Sequence, residues 1–146
     1  MIVVALVPPA QVPLVAGPFI QYLEPVAAYT QGRYEVSDWL EQALMDTGQT
    51  WVVFEKDGDP LDPDLVIFTE IVSYPRLNAL RIVACGGRKF FAAFPAICDT
   101  IFTRFGKDAG CSRWELVGRL PWKRVMRRYG EVNELVYLEG GLRGQG

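Results

Sequence analysis

The chain has 146 residues, of which half are hydrophobic and 22% are charged, a composition typical of a globular domain and not of a disordered segment. It contains no histidine, which excludes serine–histidine–acid triads and histidine-ligated metal sites. The longest apolar runs are too short to span a bilayer and lack signal-peptide flanks. We therefore expect one soluble, intracellular domain over residues 1–146, ending in a glycine-rich tail at 140–146.

Charge is distributed unevenly along the chain. Residues 1–66 hold ten acids and two bases, for a net charge of −8, whereas residues 67–146 hold seven acids and thirteen bases, for +6. This asymmetry indicates either that the C-terminal half meets an anionic partner or that the two halves attract each other.

The three cysteines, Cys85, Cys98 and Cys111, form no C-x-x-C pair, and an odd number does not suit a disulfide framework. We expect reduced, largely buried thiols and no metal site.

The N-terminal half predicts a strand, two helices and a hairpin. Prolines interrupt the first helix, and Ser37 is the candidate N-cap of the second. The predicted elements are a strand over 1–7, a helix within 12–29, a helix from Ser37 towards Gly48, and strands over 50–56 and 65–73 around an acidic turn.

The C-terminal half predicts a strand, a long apolar helix and three shorter elements. Aromatic and aliphatic residues recur at helical spacing between Phe90 and Phe105, which indicates a core-facing stripe. The predicted elements are a strand over 78–84, the helix over 90–105, a strand over 111–118, a short helix opened by Pro121 and ended by Gly130, and a strand over 132–138.

The turn before the long helix is the first candidate site. Its sequence is Cys85-Gly86-Gly87-Arg88-Lys89, in which two glycines expose backbone amides and two cations stand at a helix start. Amides, helix dipole and basic side chains together favour an anion, so this turn predicts an anion-binding site.

Without histidine, carboxylates are the main candidates for a catalytic base. Glu70 and Glu115 lie in two of the predicted strands. Each could also be a solvated strand residue or an ion-pair partner of Arg81 or Arg113.

The short helix near the C-terminus is strongly basic and predicts a partner-facing surface. Like charges one helical turn apart repel unless something anionic lies opposite, and a tryptophan beside them could anchor an interface. The residues are Trp122, Lys123, Arg124, Arg127 and Arg128. We expect an acidic protein surface as the partner, with nucleic acid as the alternative.

The order of these elements resembles the GNAT N-acetyltransferase superfamily, an α/β (α+β) fold with a mixed, mostly antiparallel sheet flanked by helices. Four segments further resemble small GNAT-like proteins encoded by tailed bacteriophages. They are residues 29–34, Tyr74-Pro75-Arg76, Cys85-Gly86-Gly87 and residues 118–122.

This resemblance implies that residues 85–89 would hold the pyrophosphate of acetyl-coenzyme A (acetyl-CoA). The small residues that complete the superfamily motif are replaced by Phe90-Phe91-Ala92, so we expect weak or no binding. Met126 stands where many members have a tyrosine that protonates the leaving thiolate, and Tyr129 lies one turn away as a candidate acid.

Three functions follow as hypotheses. The first is a non-catalytic phage protein of the virion or its assembly that contacts other phage structural proteins, a further copy of itself or packaged nucleic acid. The second is an acetyl-CoA-dependent N-acetyltransferase, and the third is a nucleic-acid-binding accessory protein.

Overall fold

The computed structural model describes residues 1–119 and 121–143, and five strands and five α-helices form in this part of the chain. The strands are β1 (Ile2–Val7), β2 (Gln49–Glu55), β3 (Leu65–Ser73), β4 (Asn78–Gly87) and β5 (Arg113–Leu116). The helices are α1 (Ala16–Ala27), α2 (Val36–Leu44), α3 (Phe90–Ile97), α4 (Gly106–Asp108) and α5 (Pro121–Met126). None of the helices in these residues is both long and apolar enough to cross a bilayer.

The strands form one sheet in the order of the sequence, β1-β2-β3-β4-β5. The first four pair antiparallel, and β5 pairs parallel with β4. This mixed, mostly antiparallel sheet with helices on both faces confirms the predicted fold class.

Alternating side chains of the sheet build two cores, as the period of two in a strand requires. Trp51, Val53 and Ile67 face the core formed with α3 and α5. Val52 and Phe68 face the opposite core, formed with α1, α2 and the 3-10 turn Pro9–Val15.

A β-bulge interrupts this alternation in β4. Phe68 pairs with Ala84 and Thr69 pairs with Ile82, so Val83 is the extra residue. A bulge changes which face the following side chains meet. Ile82 and Cys85 therefore both lie on the α3 side, although three positions separate them.

The long helix predicted over 90–105 forms and packs on the sheet, but it is not uniform. Its α-helical start, α3, continues into a π-helical segment, Cys98–Phe105, and then into the single turn α4. Pro95 lies inside α3 and lacks an N–H, so the helix loses one backbone bond just before it widens.

Several sequence predictions need correction. Helix α2 is capped by Glu35 in a capping box with Asp38, not by Ser37, because both acidic side chains accept backbone N–H groups there. Residues 132–138 form no strand, since they have no ladder partner in the described part of the chain. The predicted tail at 140–146 falls partly on residues 144–146, which lie outside the described residues.

Candidate functional site

The sheet opens between β4 and β5. The two strands pair over Ala79–Ile82 and Arg113–Leu116, and β4 then continues to Gly87 while the chain leaves the sheet after Leu116. Helix α5 comes next in the chain and packs over the gap between β4 and β5. The fold therefore places side chains of α3 and α5 beside the free stretch of β4.

Trp122 of α5 and Phe90 of α3 fill this opening, which we call the inter-strand slot. Their rings meet edge to face, with centroids 5.3 Å apart and an interplanar angle of 78°. The cavity that remains among these rings, Cys85 and Met126 is about 10 Å³, no more than one water molecule needs. In this arrangement the side chains present do not fit the arm of an acyl-CoA.

Gly118 is the residue that admits Trp122. A Cβ atom built at this position would lie 2.9 Å from Cδ1 of Trp122, closer than real contacts allow. The indole therefore packs directly on the backbone of Gly118, which fixes the chain between β5 and α5.

The turn over Cys85–Lys89 packs tightly on its neighbours. A Cβ at Gly86 would lie 2.1 Å from the backbone oxygen of Tyr22, and one at Gly87 would lie 2.3 Å from that of Asp64. Gly87 also has a φ of +129°, which side-chain-bearing residues rarely adopt. The presence of glycine at both positions is therefore explained by packing, because another backbone segment approaches each of them closely.

Asp64 forms ion pairs with both cations of this turn. Its carboxylate lies 3.4 Å from a guanidinium nitrogen of Arg88 and 3.7 Å from Nζ of Lys89. The N–H of Arg88 also donates to the backbone oxygen of Asp64, at 2.6 Å. An anionic ligand would therefore compete with Asp64 for two cations that share one carboxylate, and both side chains keep more than half of their surface exposed.

Glu70 and Glu115, the two candidate bases, share one cation. Arg81 on β4 donates to Glu70 at 2.9 Å and to Glu115 through Nε at 2.9 Å, and Tyr74 donates to Glu115 at 2.8 Å. Partial burial lowers the pKa of Arg81, but the hydrogen bond and charge of Glu115 outweigh it and hold that pKa above its usual value. Both carboxylates therefore form ion pairs with Arg81, one of the alternatives that the sequence left open.

Tyr129 and Met126 occupy different environments. Met126 is 1% exposed and lines the slot, so an apolar side chain stands at the position of the expected acid. Tyr129 is 38% exposed, and its hydroxyl lies 3.2 Å from the Thr103 hydroxyl while its ring packs on Phe102. The structure thus places the Tyr129 hydroxyl at the surface, and its role as an acid stays a prediction.

The basic side chains of α5 and the turn after it divide into two pairs. Lys123 and Arg127 both reach Glu134, the latter at 3.8 Å. Arg124 and Arg128 make no ion pair with any described residue, and the Arg128 guanidinium lies 5.4 Å from the ring centre of Phe91. The exposed positive charge of this face therefore concentrates on Arg124 and Arg128.

The three cysteines are free and half-buried. Burial raises the pKa of the Cys85 thiol to about 12 and that of Cys98 to about 11, and it also raises the pKa of Cys111. All three are therefore neutral thiols at physiological pH, and they are less buried than the sequence predicted.

Sequence reasoning missed two residues of these sites. Asp64 was expected only as part of an acidic turn, and Tyr74 only as part of the Tyr74-Pro75-Arg76 segment that carries the family resemblance. The partners of Asp64 lie at the end of β4, more than twenty residues along the chain. No local signal could have shown either contact, because both depend on how the strands pair.

No protein-family model matches the chain, and no curated protein matches it in sequence. The fold does match solved acetyltransferases. An aminoglycoside acetyltransferase from an uncultured soil metagenomic sample gives a TM-score of 0.67 at 11% identity, over 97% of this chain and 99% of that chain. Glucosamine-6-phosphate N-acetyltransferase from Arabidopsis thaliana gives 0.65 at 12% identity, over 97% and 98%.

A predicted acetyltransferase from Clostridium acetobutylicum, solved with acetyl-CoA, gives a TM-score of 0.63 at 10% identity. That match covers 97% of this chain and 96% of the other. Identities this low establish architecture and not activity. The five-stranded sheet, its open β4–β5 side and these full-length matches show that the chain has the GNAT N-acetyltransferase fold.

Proposed function

We propose that this chain is a GNAT-fold protein that acts by binding other macromolecules and does not transfer acyl groups. The observation that carries this proposal is the packing of Trp122 against Phe90 in the inter-strand slot. A pantetheine-like arm would have to displace both rings, and the lost aromatic contact and apolar burial would oppose its binding.

The turn at the start of α3 supports the same conclusion. An anionic cofactor would compete with Asp64 for Arg88 and Lys89 and would leave that carboxylate, whose side chain is only 17% exposed, without its cations. Glu70 and Glu115 both form ion pairs with Arg81, which accounts for these carboxylates without a catalytic role.

The basic face supports a binding role. Arg124 and Arg128 are exposed and lie beside the 63%-exposed ring of Phe91, so cationic and apolar contacts are available together. The proposed setting is the particle or the assembly of a tailed bacteriophage. That setting depends on the sequence resemblance of the four short segments alone.

The comparisons by themselves favour a second candidate, an acetyl-CoA-dependent N-acetyltransferase. Every neighbour described above is named as an acetyltransferase, and one was solved with acetyl-CoA. In this chain that function would require Trp122 to leave the slot and Asp64 to release the turn. Glu70, Glu115 and Tyr129 would then be the residues to examine for proton transfer.

Release of free coenzyme A from acetyl-CoA tests the two candidates. The protein is incubated with acetyl-CoA and, in turn, a polyamine, an aminoglycoside, an amino sugar phosphate and a peptide with a free N-terminus, and product is followed by mass spectrometry. The first proposal expects acetylated product at the protein-free rate in each case. Acetylated product above that rate, reduced by Glu70→Gln, Glu115→Gln or Tyr129→Phe, would establish the enzyme.

A further inference from the structure

The basic face on which the proposed function rests contains a groove beside α5. Phe91, Pro121 and Val125 form its apolar floor, and Arg124 and Arg128 stand at its rim. Its volume is about 410 Å³, enough for one aliphatic side chain with its flanking backbone. We call it the basic groove.

The β2–β3 connection has the complementary chemistry. Residues 57–62 hold three aspartates, Asp57, Asp59 and Asp62, around Leu61, which is 48% exposed. We call this segment the acidic loop. An apolar side chain flanked by carboxylates matches an apolar floor flanked by guanidinium groups, both in hydrophobic contact and in charge.

The acidic loop is also preorganised for binding. The N–H of Leu61 donates to the Asp59 carboxylate at 2.9 Å, and the N–H of Asp62 donates to the Asp59 backbone oxygen at 3.0 Å. The Tyr22 hydroxyl holds the loop's far end by donating to the Pro63 oxygen at 3.1 Å. A loop fixed in this way loses little conformational entropy when it docks.

The loop and the groove lie at one end of the sheet. Asp64, two residues after the loop, contacts Arg88 and Lys89, and Phe91 of the groove is the second residue after Lys89. When two complementary surfaces lie at the same end of a molecule, a two-fold axis can bring each surface of one copy against the complementary surface of the other. Each copy would then insert its loop into the groove of the other.

We infer that the chain forms a two-fold symmetric dimer in which the acidic loop of each copy occupies the basic groove of its partner. Leu61 lies on the apolar floor, and Asp57 and Asp62 meet Arg124 and Arg128. This inference is independent of whether the slot takes an acyl-CoA, because neither Leu61 nor the rim arginines line the slot. Exposed ion pairs make such a dimer sensitive to salt.

The test is sedimentation velocity of the full chain at increasing concentration, in about 50 mM and about 500 mM salt. The wild type should dimerise in low salt and dissociate at least tenfold more readily in high salt. The variants Arg124→Glu/Arg128→Glu and Asp57→Arg/Asp62→Arg should each be monomeric, with unchanged circular dichroism. Asp59 is kept in both variants because it holds the turn.

The decisive arm mixes these two variants. In the mixture both loop-to-groove contacts regain opposite charges, so a heterodimer should form with an affinity close to that of the wild type. The matched control is Arg76→Glu/Arg113→Glu, two exposed cations at the opposite end of the sheet, which should dimerise normally.

Four results would overturn the inference. They are a wild type that stays monomeric up to about 300 µM in low salt, a groove variant that still dimerises, a loop variant that still dimerises, and a mixture that fails to associate. If the wild type stays monomeric and binds nucleic acid, and the groove variant loses that affinity, the groove is assigned to nucleic acid instead.

Discussion

Trp122 lies edge to face against Phe90, so that a residue of α5 and the first residue of α3 close the gap where β5 leaves β4. The same indole rests on the backbone of Gly118. Helix α3 and the connection from β5 to α5 therefore meet at one side chain. This contact determines whether the GNAT fold of this chain leaves room for a cofactor.

The Trp122–Gly118 contact should appear as an energetic coupling. Trp122→Ala removes a large half-buried ring, and we expect a loss of about 3 kcal/mol in the free energy of unfolding. Gly118→Ala should cost about 1–3 kcal/mol because the new methyl meets the indole, but little when Trp122 is already alanine. Chemical denaturation of both single variants and the double variant measures this coupling, and additive losses would show that the two residues do not touch.

Gly86→Ala should destabilise the fold by about 2 kcal/mol or more. The added Cβ would meet the backbone oxygen of Tyr22 at 2.1 Å, so α1 and β4 must separate. Gly130→Ala is the control, because nothing beyond its chain neighbours lies within 4 Å of the added Cβ, and it should be neutral or slightly stabilising. Thermal unfolding of both variants provides the comparison, and equal melting temperatures would contradict the close packing of the turn.

Arg81→Met should leave two carboxylates facing each other without a cation. Because the Arg81 side chain is 36% exposed, solvent screens the pair, and we expect a loss of only about 1 kcal/mol at neutral pH. The loss should shrink in high salt, which screens the repulsion between the two carboxylates. Arg104→Met removes a more exposed pair with Asp99 and should change stability by less than about 0.5 kcal/mol. A loss that does not depend on salt would indicate packing and not charge.

Stability should fall at alkaline pH through Cys85. Its thiol keeps its proton in the folded state up to a pKa of about 12, whereas the unfolded thiol loses it near 9. Between these values the unfolded state releases a proton that the folded state retains, so unfolding becomes easier by about 1.4 kcal/mol for each pH unit. Denaturation of wild type and Cys85→Ala from pH 8 to 10.5 checks this, and parallel curves would refute it.

Local patterns predicted much of the fold. The strand over 65–73 is found at the predicted residues because apolar side chains continue between an acidic turn and Tyr74-Pro75. The helix over 90–105 forms because its apolar stripe has helical spacing and can cover one face of the sheet. Both signals are carried by the segment itself.

The sites were less predictable, because they depend on pairing between distant segments. The basic turn was predicted from its glycines and cations, yet its ion pairs with Asp64 follow from the register of β3 and β4. Trp122 was expected at an interface because it stands among cations, whereas the structure turns it towards Phe90. The direction in which α5 packs is set by the chain leaving β5, and no periodicity encodes it.

Isothermal titration of acetyl-CoA into the wild-type protein tests the central claim most directly, because it needs no acceptor substrate. With Trp122 and Phe90 in the slot and Asp64 on the turn, we predict no saturable heat up to about 1 mM ligand. The matched variant Trp122→Ala should gain measurable affinity if the ring is the obstacle. Saturable binding to the wild type at micromolar concentration, about 8 kcal/mol of binding free energy, would contradict the account and favour the acetyltransferase.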